Sequence, residues 1–283
     1  MFLGVFFLSK VEIKNTSKMD TVLNNNCKIC NGQTNNIFET KILDKYNINF
    51  FQCFNCGFIQ TEKPYWLQEA YQNSMNFSDT GIMQRNNKFS KISTSLIFLF
   101  FKRREKFLDY AGGYGVFTRL MRDIGFDYYW NDPYTDNLLS RGFEQNVKDS
   151  YHLISSFESF EHFEHPISEI EKLLMLSKNI IFSTEIVPIP FPKVQDWWYY
   201  GTEHGQHISF YSKKSLDIIA NKFNVNYYNV GNLHLFTEKK IGFIGSIFLK
   251  FKFSRHILFL MSYVFILFMK SKTMNDMEEL ISK

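Results

Sequence analysis

Three stretches of this chain carry residue types and spacings that could do chemistry. All four cysteines fall in two pairs, Cys27-Lys28-Ile29-Cys30 and Cys53-Phe54-Asn55-Cys56, with 22 residues between the inner members. Each two-residue insert lets both thiolates of a pair point at one tetrahedral ion, and two such knuckles match the spacing of ribbon-type zinc sites. A closed four-sulfur site leaves no open coordination position, so zinc on Cys27, Cys30, Cys53 and Cys56 would hold the fold and not react. Reduced, unligated thiols or disulfides are the alternatives.

The second stretch, residues 107–134, reads FLDYAGGYGVFTRLMRDIGFDYYWNDPY. An apolar run ends in the cluster Ala111-Gly112-Gly113-Tyr114-Gly115, and Val116, Leu120 and Ile124 then recur at helical spacing before Gly125. A second aromatic run, 126–130, is followed directly by Asp132. Strand, glycine turn, helix and strand are therefore expected in that order. Glycines let backbone approach a ligand closely, and a carboxylate at the end of the neighbouring strand can accept two hydrogen bonds from ribose hydroxyls. Together they describe half of a nucleotide-type site.

The third stretch lies downstream. An apolar strand over 151–157 would deliver Glu158, Glu161 and His162 to the carboxyl edge of an open α/β sheet, where ligands sit. After a fifth strand at 179–184, a long loop carries Glu185, three prolines, and then Trp197, Trp198, Tyr199, Tyr200, Glu203, His204 and His207. Loops this long are usually functional or disordered, and this one is too aromatic for disorder.

The remaining elements must position these groups. Strands at 36–40 and 48–52, continued at 58–59, are expected to form a hairpin around the cysteines, and helices from Trp66 and from Met83 lead into the glycine turn. Between Asp132 and the 151–157 strand there is room only for a truncated third strand at 143–147. A helix at 167–176 and a helix N-capped by Ser212 follow. Strands at 226–230 and 233–237, joined by Gly231-Asn232, suit an antiparallel edge hairpin. From Ile241 the chain is apolar and basic; its run at 257–269 is too short to span a bilayer and is expected to pack on the domain or a partner, with peripheral membrane contact as the alternative.

With 283 residues, 45% of them hydrophobic, there is room for one α/β domain and a small appendage. The net charge of +4 is mild, and only Lys102-Arg103-Arg104 forms a basic cluster, so nucleic acid is not an expected partner. Met1–Leu8 is apolar but too short for a membrane span and is followed by polar residues where a secretory signal would have its cleavage site; Met19 precedes the first recognisable domain. A cytoplasmic chain is the simplest reading.

LDYAGGYG followed by NDPY resembles the first two motifs of the class I S-adenosylmethionine-dependent methyltransferases, and FESFEHF is similar to the E-x-x-E-H segment after their fourth strand. The resemblance covers most of 108–230. It implies a Rossmann-like seven-stranded methyltransferase sheet, here with a shortened third-strand region, an N-terminal zinc ribbon and a C-terminal helical extension. The corresponding segments are 20–66, 67–240 and 241–283. It further implies S-adenosylmethionine held by Asp109, Ala111, Gly112, Gly113, Gly115, Asp132, Phe157 and Glu158. Ala111 stands where the pattern has its first glycine, which would be awkward if that position needed positive φ. The shortened region leaves the adenine contact open among Tyr134, Phe143 and Glu144, and the lead-in helices offer Tyr71, Asp79 and Arg85.

The segment EHGQHISFYS resembles the E-H-x-S-Y-F-S element of sugar C-methyltransferases that also carry a four-cysteine zinc module. In that register His207 matches the family's histidine and Gln206 replaces its glutamate, so His207 is the expected base, with Glu203, Glu185 and the neighbouring His204 as supporting candidates. A small-molecule acceptor is implied, a nucleotide-linked sugar or surface glycan first. A nucleic-acid methyltransferase binding through the ribbon and a non-catalytic cofactor-binding scaffold are the rivals.

Overall fold

Two sheets share the chain, and a computed structural model describes them over residues 26–72, 79–251 and 253–282. The Met1–Leu8 segment and Met19 lie outside those residues. The smaller sheet starts with β1 (Thr34–Ile42) and β2 (Tyr46–Cys53), an antiparallel hairpin with a bulge between Asn36 and Phe38, and adds β3 (Ile59–Thr61). Short helix α1 (Leu67–Ala70) then leads toward α2 (Ile82–Phe100).

The larger sheet is built around central strands that are buried on both faces. Strands β4 (Lys106–Tyr110), β5 (Asp127–Asn131), β6 (Leu153–Ser156) and β7 (Asn179–Ser183) are parallel, and β6 and β7 are buried along their whole length. Parallel strands need crossovers that cover both faces, which is why no alternation survives there. The crossover helices are α3 (Val116–Ile124), after β4, and α4 (Pro166–Leu176), after β6. A two-residue strand, β8 (Ser209–Phe210), then pairs with β3 of the smaller sheet before α5 (Lys213–Lys222). Ser212 caps α5: its hydroxyl accepts from Ser215 N and Ser215 Oγ returns to the Ser212 backbone, a closed capping box. Strands β9 (Asn226–Val230) and β10 (Leu233–Thr237) complete the sheet as an antiparallel hairpin, giving the order β5-β4-β6-β7-β10-β9.

One expectation needs correcting. The sheet has six strands among the described residues where seven were expected; the third-strand region contributes a single parallel bridge, Trp130 with Glu144. Gly142, at φ +87°, turns the chain immediately before that bridge, and the short connection leaves no length for helix plus strand. The cysteine ribbon also draws its fourth strand, β8, from far outside residues 20–66.

Phenylalanine fills both faces. Phe160 stacks on Phe182 at 3.9 Å, and Phe107 on Tyr128 at 5.1 Å, all fully buried; each such ring stabilises by about 1.5–3 kcal/mol relative to exposure. Helices α6 (Phe243–Lys250), α7 (Ser254–Ile266) and α8 (Thr273–Ile281) follow the sheet. Helix α7 lies on α2 through the Phe98–Phe265 stack at 4.6 Å and the Ser95 hydroxyl, which donates to Leu258 O at 2.6 Å. No described helix is long and apolar enough to cross a membrane.

Helix α8 is locked by a buried ion pair. Arg122 donates through Nε and NH2 to both oxygens of Asp276 at 2.8 and 2.7 Å, and through NH1 to Tyr128 O at 2.7 Å. Removing one partner of such a pair leaves an uncompensated charge, so Asp276→Ala should cost about 3 kcal/mol in chemical denaturation, and Arg122→Met in the same background should recover much of it. An unchanged midpoint for Asp276→Ala would show that the pair does not hold the helix.

Candidate active site

The turn after β4 is made of left-handed residues: Ala111 at φ +57°, Gly113 at +52° and Gly115 at +82°. A Cβ on Gly112 would sit 2.7 Å from Asp109 Oδ2 and 2.8 Å from Trp130 Cδ1, so only glycine fits there, whereas a Cβ on Gly113 would meet nothing and that face of the turn is open. Gly113 N donates to Asp132 Oδ2 at 2.9 Å and Tyr134 N to Oδ1 at 2.8 Å. Each oxygen keeps a further acceptor site, so the carboxylate is fixed in place yet still able to bind hydroxyls. Trp130 Nε1 donates to Gly113 O at 2.8 Å and closes the turn.

Asp109 is buried behind the turn, accepts from Thr118 Oγ1 at 2.8 Å, and burial pushes its pKa up to about 7. Phe157 packs between Phe89 and Phe117. Of the adenine candidates, Phe143 is buried under the Arg122 guanidinium at 3.6 Å, Glu144 accepts from Asn137 and from Gly142 N within its own loop, and Tyr134 is exposed, stacked on Tyr71 at 6.0 Å.

Glu158, two residues after β6, takes a left-handed conformation, φ +50°. Its carboxylate accepts from Ser183 Oγ at 2.6 Å and faces Arg85 at 3.7 Å, while Arg85 grips Asp79 through two bonds of 2.9 and 2.7 Å. The start of α2 is thereby tied across the edge of the sheet.

Beside this chain of charges lies a second centre. Donor atoms of Glu161, His162 and His207 lie within 4.8 Å of one another. Glu161 is fully buried and neither carboxylate oxygen has a hydrogen-bond partner among the described residues. Burial first, and Glu158 second, hold its pKa well above the ordinary carboxylate range. His207 Nδ1 lies 2.6 Å from Tyr199 O, and since a carbonyl only accepts, Nδ1 carries the proton and Nε2 the lone pair. The Tyr71 hydroxyl meets His162 Nδ1 at 2.7 Å. Burial pushes both imidazoles down, His162 to about 3 and His207 well below its usual value with help from the neighbouring His162 and His204, so both are neutral at neutral pH. The same donor set is close enough for a divalent cation to bridge.

Of the supporting candidates, His204 packs against the His207 ring at 4.6 Å and accepts from Gln206 N. Glu203 is exposed, and Glu185 accepts from Asn232 at 3.2 Å. Gln206 donates to Ala70 O at 2.9 Å, a structural clamp at the position where the resembling element has glutamate. The sequence placed Glu161 and His162 at the edge but gave no sign that Glu161 would be left without a partner, which depends on packing by three separate segments.

The four cysteine sulfurs also lie within 4.8 Å of one another, with Cys27–Cys56 at 3.5 Å and Cys30–Cys53 at 3.4 Å. All are free thiols. Ile29 N donates to Cys27 Sγ and Cys56 N to Cys53 Sγ, bonds that stabilise thiolates. Tetrahedral bonds of about 2.3 Å place sulfurs roughly 3.8 Å apart, so the set fits one zinc ion after a slight expansion.

A methyltransferase-domain family model matches residues 83–230. Among solved structures, the chain is similar to a magnesium protoporphyrin IX methyltransferase from Synechocystis (11% identity, 60% of this chain and 90% of that one, TM-score 0.40). It is also similar to a plantazolicin methyltransferase (12%, 60% and 94%, TM-score 0.41) and to an O-methyltransferase family 2 protein from Planctomyces limnophilus (11%, 59% and 64%, TM-score 0.41). No curated protein matches by sequence.

The turn itself makes one prediction. An L-residue in the left-handed region costs roughly 1–2 kcal/mol, partly offset by the extra chain entropy that glycine loses on folding. Ala111→Gly should therefore raise stability by up to about 1 kcal/mol in a denaturant titration without weakening ligand binding, and a destabilised variant would contradict the left-handed assignment. Because the family model spans more than half of the chain, including the glycine turn, Asp132 and the edge that bears Glu158 and Glu161, the protein belongs to the methyltransferase-domain family.

Proposed function

We propose that this protein transfers the methyl group of S-adenosylmethionine to a small-molecule acceptor whose reacting atom faces the Glu161–His162–His207 centre. The observation that carries this reading is the tautomer of His207: Tyr199 O fixes the proton on Nδ1 and leaves a neutral Nε2 at the carboxyl edge, on the same side of the sheet as the glycine turn. Asp132 would hold the ribose, and the open face of Gly113 leaves room for close backbone approach. When bound, S-adenosylmethionine supplies an electrophilic methyl carbon, so the protein's task is to align the acceptor and remove its proton.

His207 Nε2 would take that proton and give it up to solvent as the product leaves, with the Glu161 carboxyl lying beside the ring. A hydroxyl or an acidified carbon fits such a base, and the resemblance to sugar C-methyltransferases makes a nucleotide-linked sugar or a surface glycan the first acceptor to try. Zinc on Cys27, Cys30, Cys53 and Cys56 would serve the fold alone, since four thiolates leave no site for a substrate.

Three expectations follow from these roles. Calorimetry should detect S-adenosylmethionine binding, weakened in Asp132→Ala by about 1.5–3 kcal/mol through lost charge-assisted bonds; absence of binding to the wild type would sink the whole reading. His207→Asn should bind the cofactor normally yet transfer methyl about 100-fold to 10,000-fold more slowly, with transfer by the wild type insensitive to a brief chelator treatment. Near-normal turnover in the folded variant would remove the base, and chelator sensitivity would favour a cation at the same three residues. The purified, reduced protein should hold about one zinc per chain by elemental analysis, and Cys53→Ser should lose it and lower the melting temperature; a metal-free, equally stable wild type would refute the zinc site.

A further inference from the structure

Helix α7 is amphipathic in an unusual sense. Its inward stripe, Ser254, Leu258 and Ser262, is buried against α2, as expected of a docked helix. The opposite face, which in a water-facing helix carries charge, presents Leu260, Tyr263 and Leu267, each more than half exposed. Helix α6, a neighbour of α7, exposes Phe243 at 80% and Ile244 at 84%. Large apolar side chains exposed on adjacent helices mark an interaction site on a protein that otherwise meets water.

Charge decides what covers it. Residues 239–275 contain seven Lys and Arg and no Asp or Glu. The Lys102-Arg103-Arg104 triplet, read from sequence as a solvated face, adjoins this surface: the Arg103 guanidinium lies 4.9 Å over the Phe98 ring, which stacks on Phe265. Lys91 lies 5.2 Å over the Tyr263 ring. Between α2 and the start of α7 is a cleft of about 350 Å³ lined by Gln84, Asn87, Lys88, Arg255, His256 and Phe259, with amide donors, two cations and no acid. A second copy of this face would bring like charges together, whereas an anionic lipid surface complements both the cations and the apolar side chains. Neither α6 nor α7 is long enough to span a bilayer, so the geometry available to them is to lie in its interface.

We propose that α6 and α7 seat this protein on an anionic bilayer, with the exposed aromatic and aliphatic side chains at the headgroup–acyl boundary, the surrounding Lys and Arg against phosphates, and the Lys88–Arg255–His256 cleft around one headgroup. Arg255 also donates to Asn232 at 2.9 Å, and Asn232 to Glu185, so the seated surface adjoins the carboxyl edge of the sheet where methyl transfer is placed. The inference does not depend on the methyl-transfer reading.

Sedimentation of the full chain with vesicles tests it. Phosphatidylcholine vesicles doped with phosphatidylglycerol should carry the protein down, plain phosphatidylcholine should carry much less, and high salt should release part of it. The doubles Leu260→Ser/Leu267→Asp and Lys250→Glu/Lys270→Glu, all on exposed positions, should each bind at least tenfold more weakly while keeping the wild-type melting temperature. No sedimentation with doped vesicles, equal sedimentation with plain ones, or wild-type binding by both doubles would overturn the proposal. So would a concentration-dependent dimer, seen by analytical ultracentrifugation, that the Leu260→Ser/Leu267→Asp double abolishes in a protein that ignores vesicles.

Discussion

The pairing of Ser209–Phe210 with Ile59–Gln60 joins the two sheets, and the geometry of the edge depends on it. A three-stranded ribbon would leave β3 with a row of unpaired backbone groups, and β8 together with Ile208 O, which accepts from Thr61 N at 3.2 Å, removes that edge. The same loop is pinned further along: Trp66 Nε1 donates to Gly205 O at 2.7 Å, and Leu43 N to Thr202 O at 2.9 Å. On its other side Ile208 N donates to Glu161 O at 2.9 Å. His207 therefore hangs on a segment clamped between the ribbon and the sheet. The Ser212 hydroxyl donates to Cys56 O, so the second knuckle also touches the cap of α5. The ribbon that carries the four cysteines is thus tied by hydrogen bonds to the segment that bears His207.

Local signals account for what could be read in the sequence. The edge hairpin was legible to the residue, at 226–230 and 233–237, because Gly231-Asn232 punctuates two apolar runs and Gly231 takes the positive φ such a turn needs. The cysteine pairs and the strand–glycine–helix order were legible for the same reason. Strand β8 was not: two residues carry no periodicity, and the partner strand lies about 150 residues away. Ala111 in the left-handed region was flagged only as a risk, since the conformation is imposed by the turn and not by the residue. The unpartnered state of Glu161 and the buried position of Asp109 belong to tertiary burial, which local pattern does not reveal.

The C-terminal helices looked like an appendage in the sequence, yet they are bound into the cofactor half of the sheet. Arg122 sits on α3, the helix that follows the glycine turn, and its guanidinium reaches Asp276 of α8, Asp127 of β5 and the Tyr128 carbonyl at once. Lys272 N donates to Arg122 O at 3.1 Å, and a Cβ on Gly125, at the end of α3, would strike the Lys270 carbonyl. Gly125 is therefore needed as a helix stop and also as the point where the returning chain passes. A rigid α3 keeps the turn at its N-terminus rigid, so the tail stabilises the site from behind even though none of its residues faces the site.

At the edge itself, burial lowers the pKa of two imidazoles and raises that of the carboxyl beside them, and this arrangement has opposing linkage. Histidines whose pKa is lowered by folding, His162 and His207 here with His234 at about 4 elsewhere, bind protons more readily in the unfolded chain. Their contribution to stability is complete above about pH 6.5 and is lost as the pH falls below it. Glu161 has the opposite sign: the unfolded chain releases its proton near the usual carboxylate value while the fold retains it, so its contribution falls as the pH rises above that value. Around neutrality the two imidazoles are therefore uncharged, the form in which burial costs the fold least.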